Sequence, residues 1–409
     1  MSCRSVVPAA PPVDGFPSDF FSVSAMNQHT RLDTTPIPFI DVAAQRRRLG
    51  AAIDDAVSRV LNHCQFLMGP EVLDFESRLA EFCGAKYALS CASGTDALVL
   101  TLMAKEIGPG DAVFCPSFTF CATAESAALV GATPVFVDVH AESFNIDAES
   151  LKKAIATAKK NGLKPKAVIP VDLFGLAADH DPVAAIAKQE NLFVLDDAAQ
   201  GFGAAYKGRK LGTLGHATAT SFFPAKPLGC YGDGGAVLTD DAALLERLKS
   251  LRVHGQGKDK YDNIHIGMTG RLDTIQAAVL IEKLKIFPDE IVARDRIAQR
   301  YSAALADVAI VPKVADGFTS VWAQYTIRLA PGKRGPLADA LKAKGIPTAI
   351  YYPIPLHRQV AYKKYPAADG GLPVTDRLCE EVISLPMHAY LDAPTQDRVV
   401  AAIREALGR

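Results

Sequence analysis

The sequence predicts an α/β protein, with a large, mostly parallel sheet domain followed by a smaller α+β domain. Three observations carry that expectation. Between residues 87 and 195, short strand-type runs alternate with helical ones. The strand-type runs are apolar along their length rather than alternating, as in parallel sheets covered on both faces. After Thr220 the alternation gives way to short strands, a Gly-rich stretch and longer helical segments.

Residues 1–37 are rich in Pro, Ser and small residues and lack a basic start followed by an apolar stretch. They are expected to be a disordered lead-in rather than a signal peptide. Met26 lies inside it and offers a second translation start. The large domain is expected over 38–283. Helices are predicted at Ala51–Leu61 and Val72–Phe82 from apolar residues at three- and four-residue spacing. Strand Tyr87–Cys91 then leads into helix Thr95–Lys105, strand Ala112–Cys115 into helix Cys121–Leu129, and strand Val135–Val139 into helix Leu151–Lys159. Strand Ala167–Leu173, helix Pro182–Gln189 and strand Leu192–Leu195 follow. Two short strands, Thr218–Phe223 and Ala236–Thr239, flank the glycine-rich Gly229–Gly235. The small domain is expected over 284–409: a helix from about Leu284, a strand at Trp322–Leu329, and helices at Leu337–Lys344 and Gln396–Leu407.

Composition narrows the function classes. With 49% hydrophobic and 22% charged residues, the 409-residue chain can bury a large core. The formal net charge is −1 and no Lys/Arg-rich run stands out, so neither nucleic acid nor an anionic membrane surface is expected as partner. A run of some 18 apolar residues, the minimum for a membrane span, does not occur. The 8 cysteines form no Cys-x-x-Cys pair or zinc-type cluster, which suits buried free thiols in a reducing cytoplasm and no metal.

In an α/β sheet, ligands sit beyond the carboxyl ends of the strands, and four features fall there. Ser93-Gly94-Thr95 opens a helix after the first strand. Free N–H groups at a helix start suit a phosphate, although alone the motif reads as a plain Ser cap. Asp196-Asp197-Ala198-Ala199-Gln200 ends an apolar strand. Its carboxylates could pair with a cationic ring nitrogen, bind a metal or cap a turn; no His-rich partner accompanies them in sequence, which weakens the metal option. Lys226 sits in Ser221-Phe222-Phe223-Pro224-Ala225-Lys226-Pro227. Apolar surroundings disfavour its ammonium form, and a neutral amine is what Schiff-base chemistry needs. Phe120 could stack on a flat ring, its ordinary alternative being a core aromatic. Each signal is weak alone. Together they fit pyridoxal 5′-phosphate, with phosphate at Thr95, the ring over Phe120, the ring nitrogen on Asp197 and the aldehyde carbon on Lys226. A dinucleotide fold would need Gly-x-Gly-x-x-Gly after the first strand, and Cys91-Ala92-Ser93-Gly94-Thr95-Asp96 does not supply it.

From Pro38 onward the chain resembles the DegT/DnrJ/EryC1/StrS family of nucleotide-sugar aminotransferases that use pyridoxal 5′-phosphate. The resemblance rests on Gly69-Pro70-Glu71, Ser93-Gly94-Thr95-Asp96-Ala97-Leu98, Asp197-Ala198-Ala199-Gln200, Ser221–Lys226 and Arg271-Leu272-Asp273-Thr274-Ile275-Gln276-Ala277-Ala278. It implies an aspartate-aminotransferase type fold and a homodimer with active sites at the subunit interface. It gives Lys226 the Schiff base, Asp197 the ring nitrogen and Gln200 a ring-hydroxyl contact. Gly94, Thr95 and Ser221 take the phosphate, and Phe120 matches the stacking position. The loop Gly267–Arg271 is expected to reach the neighbouring subunit's site. There Thr269 stands where the family usually has Asn, so its phosphate contact has shorter reach.

Within the family, Lys226–Gly235 and Tyr352-Pro353-Ile354-Pro355-Leu356 look like enzymes that aminate C3 of UDP-linked 3-keto-N-acetylhexosamines. The implied reaction moves the amino group of L-glutamate to that ketone, for lipid A or O-antigen sugars. Arg271, Tyr351 and Tyr352 are the expected sugar contacts. Uronate-specific relatives tend to have His at the position of Tyr351. Its neutral phenol favours the non-oxidised sugar, whereas Arg271 could pair with a C6 carboxylate. The sequence reading takes the non-oxidised sugar first and the uronate second. The remaining alternatives are a dTDP- or GDP-linked 3- or 4-keto-6-deoxy sugar and a non-catalytic regulatory protein of the same fold.

Overall fold

The computed structural model describes residues 36–409. The lead-in expected over 1–37 and the alternative start at Met26 therefore fall almost wholly outside the described residues. At the boundary, Ile37 is buried and packs into the C-terminal core.

Three helices come first: α1 (Val42–Leu49), α2 (Ala51–His63) and α3 (Pro70–Cys83). Strand and helix then alternate as β1 (Tyr87–Cys91), α4 (Gly94–Ala104), β2 (Asp111–Pro116), α5 (Ala122–Leu129), β3 (Thr133–Val137), α6 (Ala148–Lys160), β4 (Lys164–Val168), α7 (His180–Glu190) and β5 (Phe193–Asp197). A small hairpin, β6 (Ala205–Tyr206) and β7 (Arg209–Lys210), precedes β8 (Ala217–Ser221) and β9 (Gly235–Thr239). Next come α8 (Ala242–Arg252), the 32-residue α9 (Thr274–Leu305), β10 (Tyr325–Arg328), α10 (Arg334–Ala343), α11 (Pro373–Glu381), β11 (Val382–Leu385) and α12 (Ala393–Ala406).

The main sheet has seven strands in the order β1-β9-β8-β5-β4-β2-β3. From β8 to β3 every pairing is parallel, and β9 alone runs antiparallel to both its neighbours. Strands β2 and β9 are buried along their whole length, so the sheet is covered on both faces. Their side chains join α4–α8 in one continuous apolar cluster. A second cluster gathers the end of α9, the β10–β11 pair, α10 and α12. The α/β architecture with a smaller α+β portion is thus as the sequence predicts. Helix α9 runs unbroken across the expected division at 283/284.

Two elements differ from expectation for visible reasons. The strand expected at Ala167–Leu173 instead covers Lys164–Val168. Pro170 has no N–H to give the ladder, and the charged entry Lys164-Pro165-Lys166 hides the true start. The helix expected from about Leu284 begins ten residues earlier at Thr274 and carries Pro288 inside it.

Asp138, just past β3, ties the two portions together. Its carboxylate accepts from Val374 N (3.0 Å), Thr375 N (2.8 Å) and Thr375 Oγ1 (2.7 Å). It thereby takes up first-turn N–H groups of α11 that have no partner within that helix. Asp138→Ala strands these buried donors and should cost about 2–3 kcal/mol, read as a fall of several degrees in Tm. A melt within one degree of wild type would remove Asp138 from this role.

Candidate active site

The carboxyl ends of β1, β5 and β8, with the loops behind them, open into one cleft of about 1270 Å³. Gly94, Thr95, Phe120, Asp197, Gln200, Ser221, Lys226, Tyr351 and Tyr352 all line it. Thr269 and Arg271 do not line the cleft of their own chain. They hold each other, Arg271 Nη2 donating to Thr269 Oγ1 at 2.7 Å, while Gly270 O accepts from Ala92 N at 3.0 Å.

One end of the cleft is built for an anion. Ser93 caps α4, its Oγ accepting from Asp96 N at 3.0 Å, and the first N–H groups of the helix face the cleft end. A Cβ on Gly94 would lie 2.6 Å from Ser221 Cβ, and one on Gly235 would lie 2.3 Å from Ser93 O. Only glycine lets the α4 turn meet β8 and β9 this closely. Ser221 brings its hydroxyl to that junction, and Thr95 lines the cleft beside it.

Asp197 ends β5 and is buried. Both its oxygens are tethered: Oδ2 accepts from Thr123 Oγ1 at 2.8 Å and Oδ1 from Ala199 N at 3.2 Å. Burial raises its pKa above the usual carboxylate value, while Thr123, the Ala199 N–H and Lys226 act the other way. Lys226 shows the complementary shift. Desolvation lowers its pKa from the ordinary lysine value, and Asp197 opposes that shift. The amine is thereby biased towards its neutral, nucleophilic form.

Gln200 is held at both ends of its amide. Its Oε1 accepts from Phe174 N at 2.9 Å and its Nε2 donates to Tyr352 Oη at 3.0 Å. Burial pushes the phenol pKa of Tyr352 and of Tyr351 upward, so both are neutral hydroxyls near pH 7. Phe120 is 54% exposed, with its ring free on the cleft wall. That exposure removes the core-aromatic alternative.

Sequence reasoning missed Thr123, whose hydroxyl fixes Asp197, together with Thr119 at 3.2 Å behind it. A threonine within the alanine-rich run of α5 gave no signal; only the packing of α5 against the strand ends reveals it. Gln324 also lines the cleft and was missed, and its buried Oε1 has no protein partner. A histidine also joins the paired aspartates in space: Asp172, His180 and Asp196 bring ligand-type atoms within 4.8 Å of one another. Asp196 faces away from Asp197 by strand alternation, so this cluster lies outside the cleft. His180 Nε2 is 3.1 Å from Asp172 Oδ1, and burial raises the pKa of both carboxyls above the ordinary carboxylate value.

The DegT/DnrJ/EryC1/StrS aminotransferase family model matches residues 47–404. The chain belongs to this family. Members of the DegT/DnrJ/EryC1/StrS family are pyridoxal-phosphate-dependent aminotransferases. The chain is 46% identical over 368 residues to a UDP-2-acetamido-2-deoxy-3-oxo-D-glucuronate aminotransferase of Pseudomonas aeruginosa, covering 90% of this chain and 99% of that one. It is 38% identical over 374 residues to a UDP-N-acetyl-3-dehydro-α-D-glucosamine 3-aminotransferase of Acidithiobacillus ferrooxidans, covering 91% and 98%. A crystal structure of a DegT DnrJ EryC1 StrS aminotransferase from Brucella abortus superposes with a TM-score of 0.89 at 53% identity, covering 91% of this chain and all of that one. The chain is therefore an aminotransferase, and the cleft fits the family's cofactor. It offers an anion-binding helix start, an exposed aromatic wall, a tethered buried carboxylate and a desolvated amine.

Thr123→Val keeps the shape of the side chain but removes the donor to Asp197. The carboxylate pKa then rises further, so the acid limb of the pH–rate profile should move to higher pH and kcat should fall about tenfold. Thr123→Ser should restore both. An unmoved acid limb in Thr123→Val would show that the hydroxyl does not control Asp197.

Proposed function

We propose that this enzyme transfers the amino group of L-glutamate to the C3 ketone of a UDP-linked 2-acetamido-3-keto hexose. One observation carries the reading: a desolvated amine, Lys226, and a tethered carboxylate, Asp197, share a cleft in a chain of this family. When bound, the cofactor supplies the electron sink and carries the amino group between the two substrates. Asp197 keeps negative charge at the ring nitrogen. Gly94, Thr95 and Ser221 would hold the phosphate, Phe120 would offer its ring as a stacking face, and Gln200 would serve the ring hydroxyl. Lys226 would hold the cofactor covalently at rest. Once displaced, it is the base that takes the proton from the donor's Cα and the acid that returns one.

For the sugar, the 46% relative names the 3-oxo-glucuronate and the 38% relative names the non-oxidised 3-dehydro-glucosamine. That order, together with a guanidinium at Arg271, favours the uronate. The neutral phenol of Tyr351 keeps the non-oxidised sugar as the second reading. Either product is a 2,3-diamino sugar of the kind used in lipopolysaccharide, which supports placement in the cytoplasm; among the described residues no helix is long and apolar enough to cross a membrane. The deciding measurement is kcat/KM for the two UDP-sugars with glutamate as donor. A preference of tenfold or more for the uronate is expected, corresponding to about 1.4 kcal/mol. Equal or reversed preference would return the assignment to the non-oxidised sugar, and amination at C4, seen by NMR of the product, would sink both.

Thr269 and Arg271 leave their own cleft untouched, which supports a homodimer in which each subunit's loop completes the other's site. Lys226→Ala and Arg271→Ala homodimers should each be nearly inactive. Co-assembled at equal amounts they should recover about one quarter of wild-type activity, because half the dimers contain one intact site. Absence of recovery despite confirmed mixed dimers would place Arg271 in its own subunit's chemistry.

A further inference from the structure

The turn that presents Lys226 is held from beneath by α9, and one of its holders is a lysine that no part of the reaction above uses. Lys283 is fully buried. Its Nζ donates to Gly229 O at 2.6 Å and lies 4.1 Å from the ring centroid of Tyr231. Seven residues earlier, on the same face of α9, Gln276 Oε1 accepts from Tyr231 N at 2.8 Å. The turn itself is tightly folded. Lys226 N donates to Phe223 O (2.8 Å) and Cys230 N to Phe222 O (2.7 Å). A Cβ on Gly229 would sit 2.6 Å from both Phe223 O and Pro224 O. The Gly229 carbonyl therefore comes three residues after Lys226, in a segment pressed against the one just before it.

A buried ammonium is a costly way to fill space, and a Met or Leu would pack there without the desolvation penalty. What the amine alone supplies is a donor aimed at the Gly229 carbonyl and a charge over the Tyr231 ring. We propose that Lys283 is a positioning residue for amino transfer, fixing through the Gly229 carbonyl the turn that aims Lys226, with its charge state setting how firmly that turn is held. This rests on the reading that Lys226 carries the chemistry.

The device is sensitive to pH. Burial lowers Lys283 from the ordinary lysine value to about 8. Cys230 on the turn and Glu290 on α9 both favour its ammonium form. Burial raises the phenol of Tyr231, and Arg46 and Asp54 of α1 and α2 act on Tyr231 in opposite directions. As pH rises through about 8, Lys283 loses its charge, and with it the charge-assisted bond and the contact with the ring. The neutral amine keeps only an ordinary hydrogen bond.

The test compares Lys283→Met and Lys283→Arg with wild type. Lys283→Met should still fix cofactor covalently on residue 226, shown by borohydride reduction and peptide mapping. The rate of the first half-reaction with glutamate should fall roughly 10- to 100-fold, with the donor KM changed less than twofold. In cofactor-free protein, backbone amides of residues 223–232 should exchange hydrogen faster, with the rest of the sheet unchanged. Lys283→Arg, which keeps its charge, should recover protection of the turn and most of the rate. The wild-type half-reaction should weaken as pH rises through about 8, and Lys283→Arg should not. If Lys283→Met does not fold, Gln276→Leu removes the other holder and should show the same local loss of protection. Wild-type rate, exchange and pH profile in Lys283→Met would overturn the inference, as would faster exchange spread over the whole fold. Borohydride fixation at a lysine other than 226 would instead overturn the reading of the site itself.

Discussion

A carboxylate cut off from water is the constraint around which this site is arranged. Asp197 is buried at the end of β5, and a dehydrated carboxylate tends to take up a proton and lose its charge. A neutral carboxyl could not hold a cationic ring nitrogen. The surroundings therefore have to favour the anion without letting water in. They do so with two short-range donors, the Thr123 hydroxyl and the Ala199 N–H, and with the amine of Lys226 across the cleft. The same desolvation acts on both partners with opposite sign, raising the acid and lowering the base. The one dry pocket thus biases the amine of Lys226 towards its neutral form, while the donors around Asp197 oppose the proton uptake that burial favours there.

The sheet order makes this pairing geometrically cheap. Strands β5 and β8 are parallel neighbours, with Asp197 paired in register to Ala219. Their ends therefore point the same way and lie one strand apart, about 5 Å. Ser221 closes β8 and Lys226 follows within one turn, so anion site, amine and carboxylate are spaced by backbone geometry rather than by mobile side chains. Antiparallel β9, slotted between β8 and β1, brings Gly235 against Ser93 and locks the α4 start to the same edge. Moving any one of these strands by a residue would turn its functional side chain to the opposite face.

What was legible in the sequence followed from local rules. The strand end at Cys91, the carboxylate pair after the apolar run Leu192–Leu195, the cap at Ser93 and the apolar setting of Lys226 are all decided within a few residues, and nine of the eleven expected site residues meet in one cleft. What was not legible depends on distant partners. Thr123 is an unremarkable helical threonine until the first turn of α5 reaches the end of β5, where its hydroxyl meets Asp197. His180 meets Asp172 and Asp196 only because α7 starts where β4 leaves the sheet. Lys283 sits in a helix that was expected only from about Leu284, one residue after it, whereas α9 begins at Thr274. The two residues that stay apart, Thr269 and Arg271, were expected in a neighbouring subunit's site, a place a single chain does not contain.

This division also says where sugar preference has to reside. The groups proposed to hold and activate the cofactor are strand ends, a helix start and a clamped turn, all fixed by hydrogen bonds of the core. They cannot be retuned for one sugar without disturbing the chemistry shared by all. Tyr351 and Tyr352 lie on a loop between α10 and α11, and Arg271 on the approach to α9, where changes cost the fold little. A loop phenol can exchange one hydroxyl contact for another, and the Arg271 guanidinium, which lies outside the cleft of its own chain, can change without moving Asp197 or Lys226. Tyr352 is the exception among them, because its hydroxyl is bonded to Gln200 and through it to Phe174. A change at Tyr352 would reach the cofactor's own contacts. In this reading discrimination at C6 belongs to Tyr351 and Arg271, while Tyr352 couples the sugar loop to Gln200.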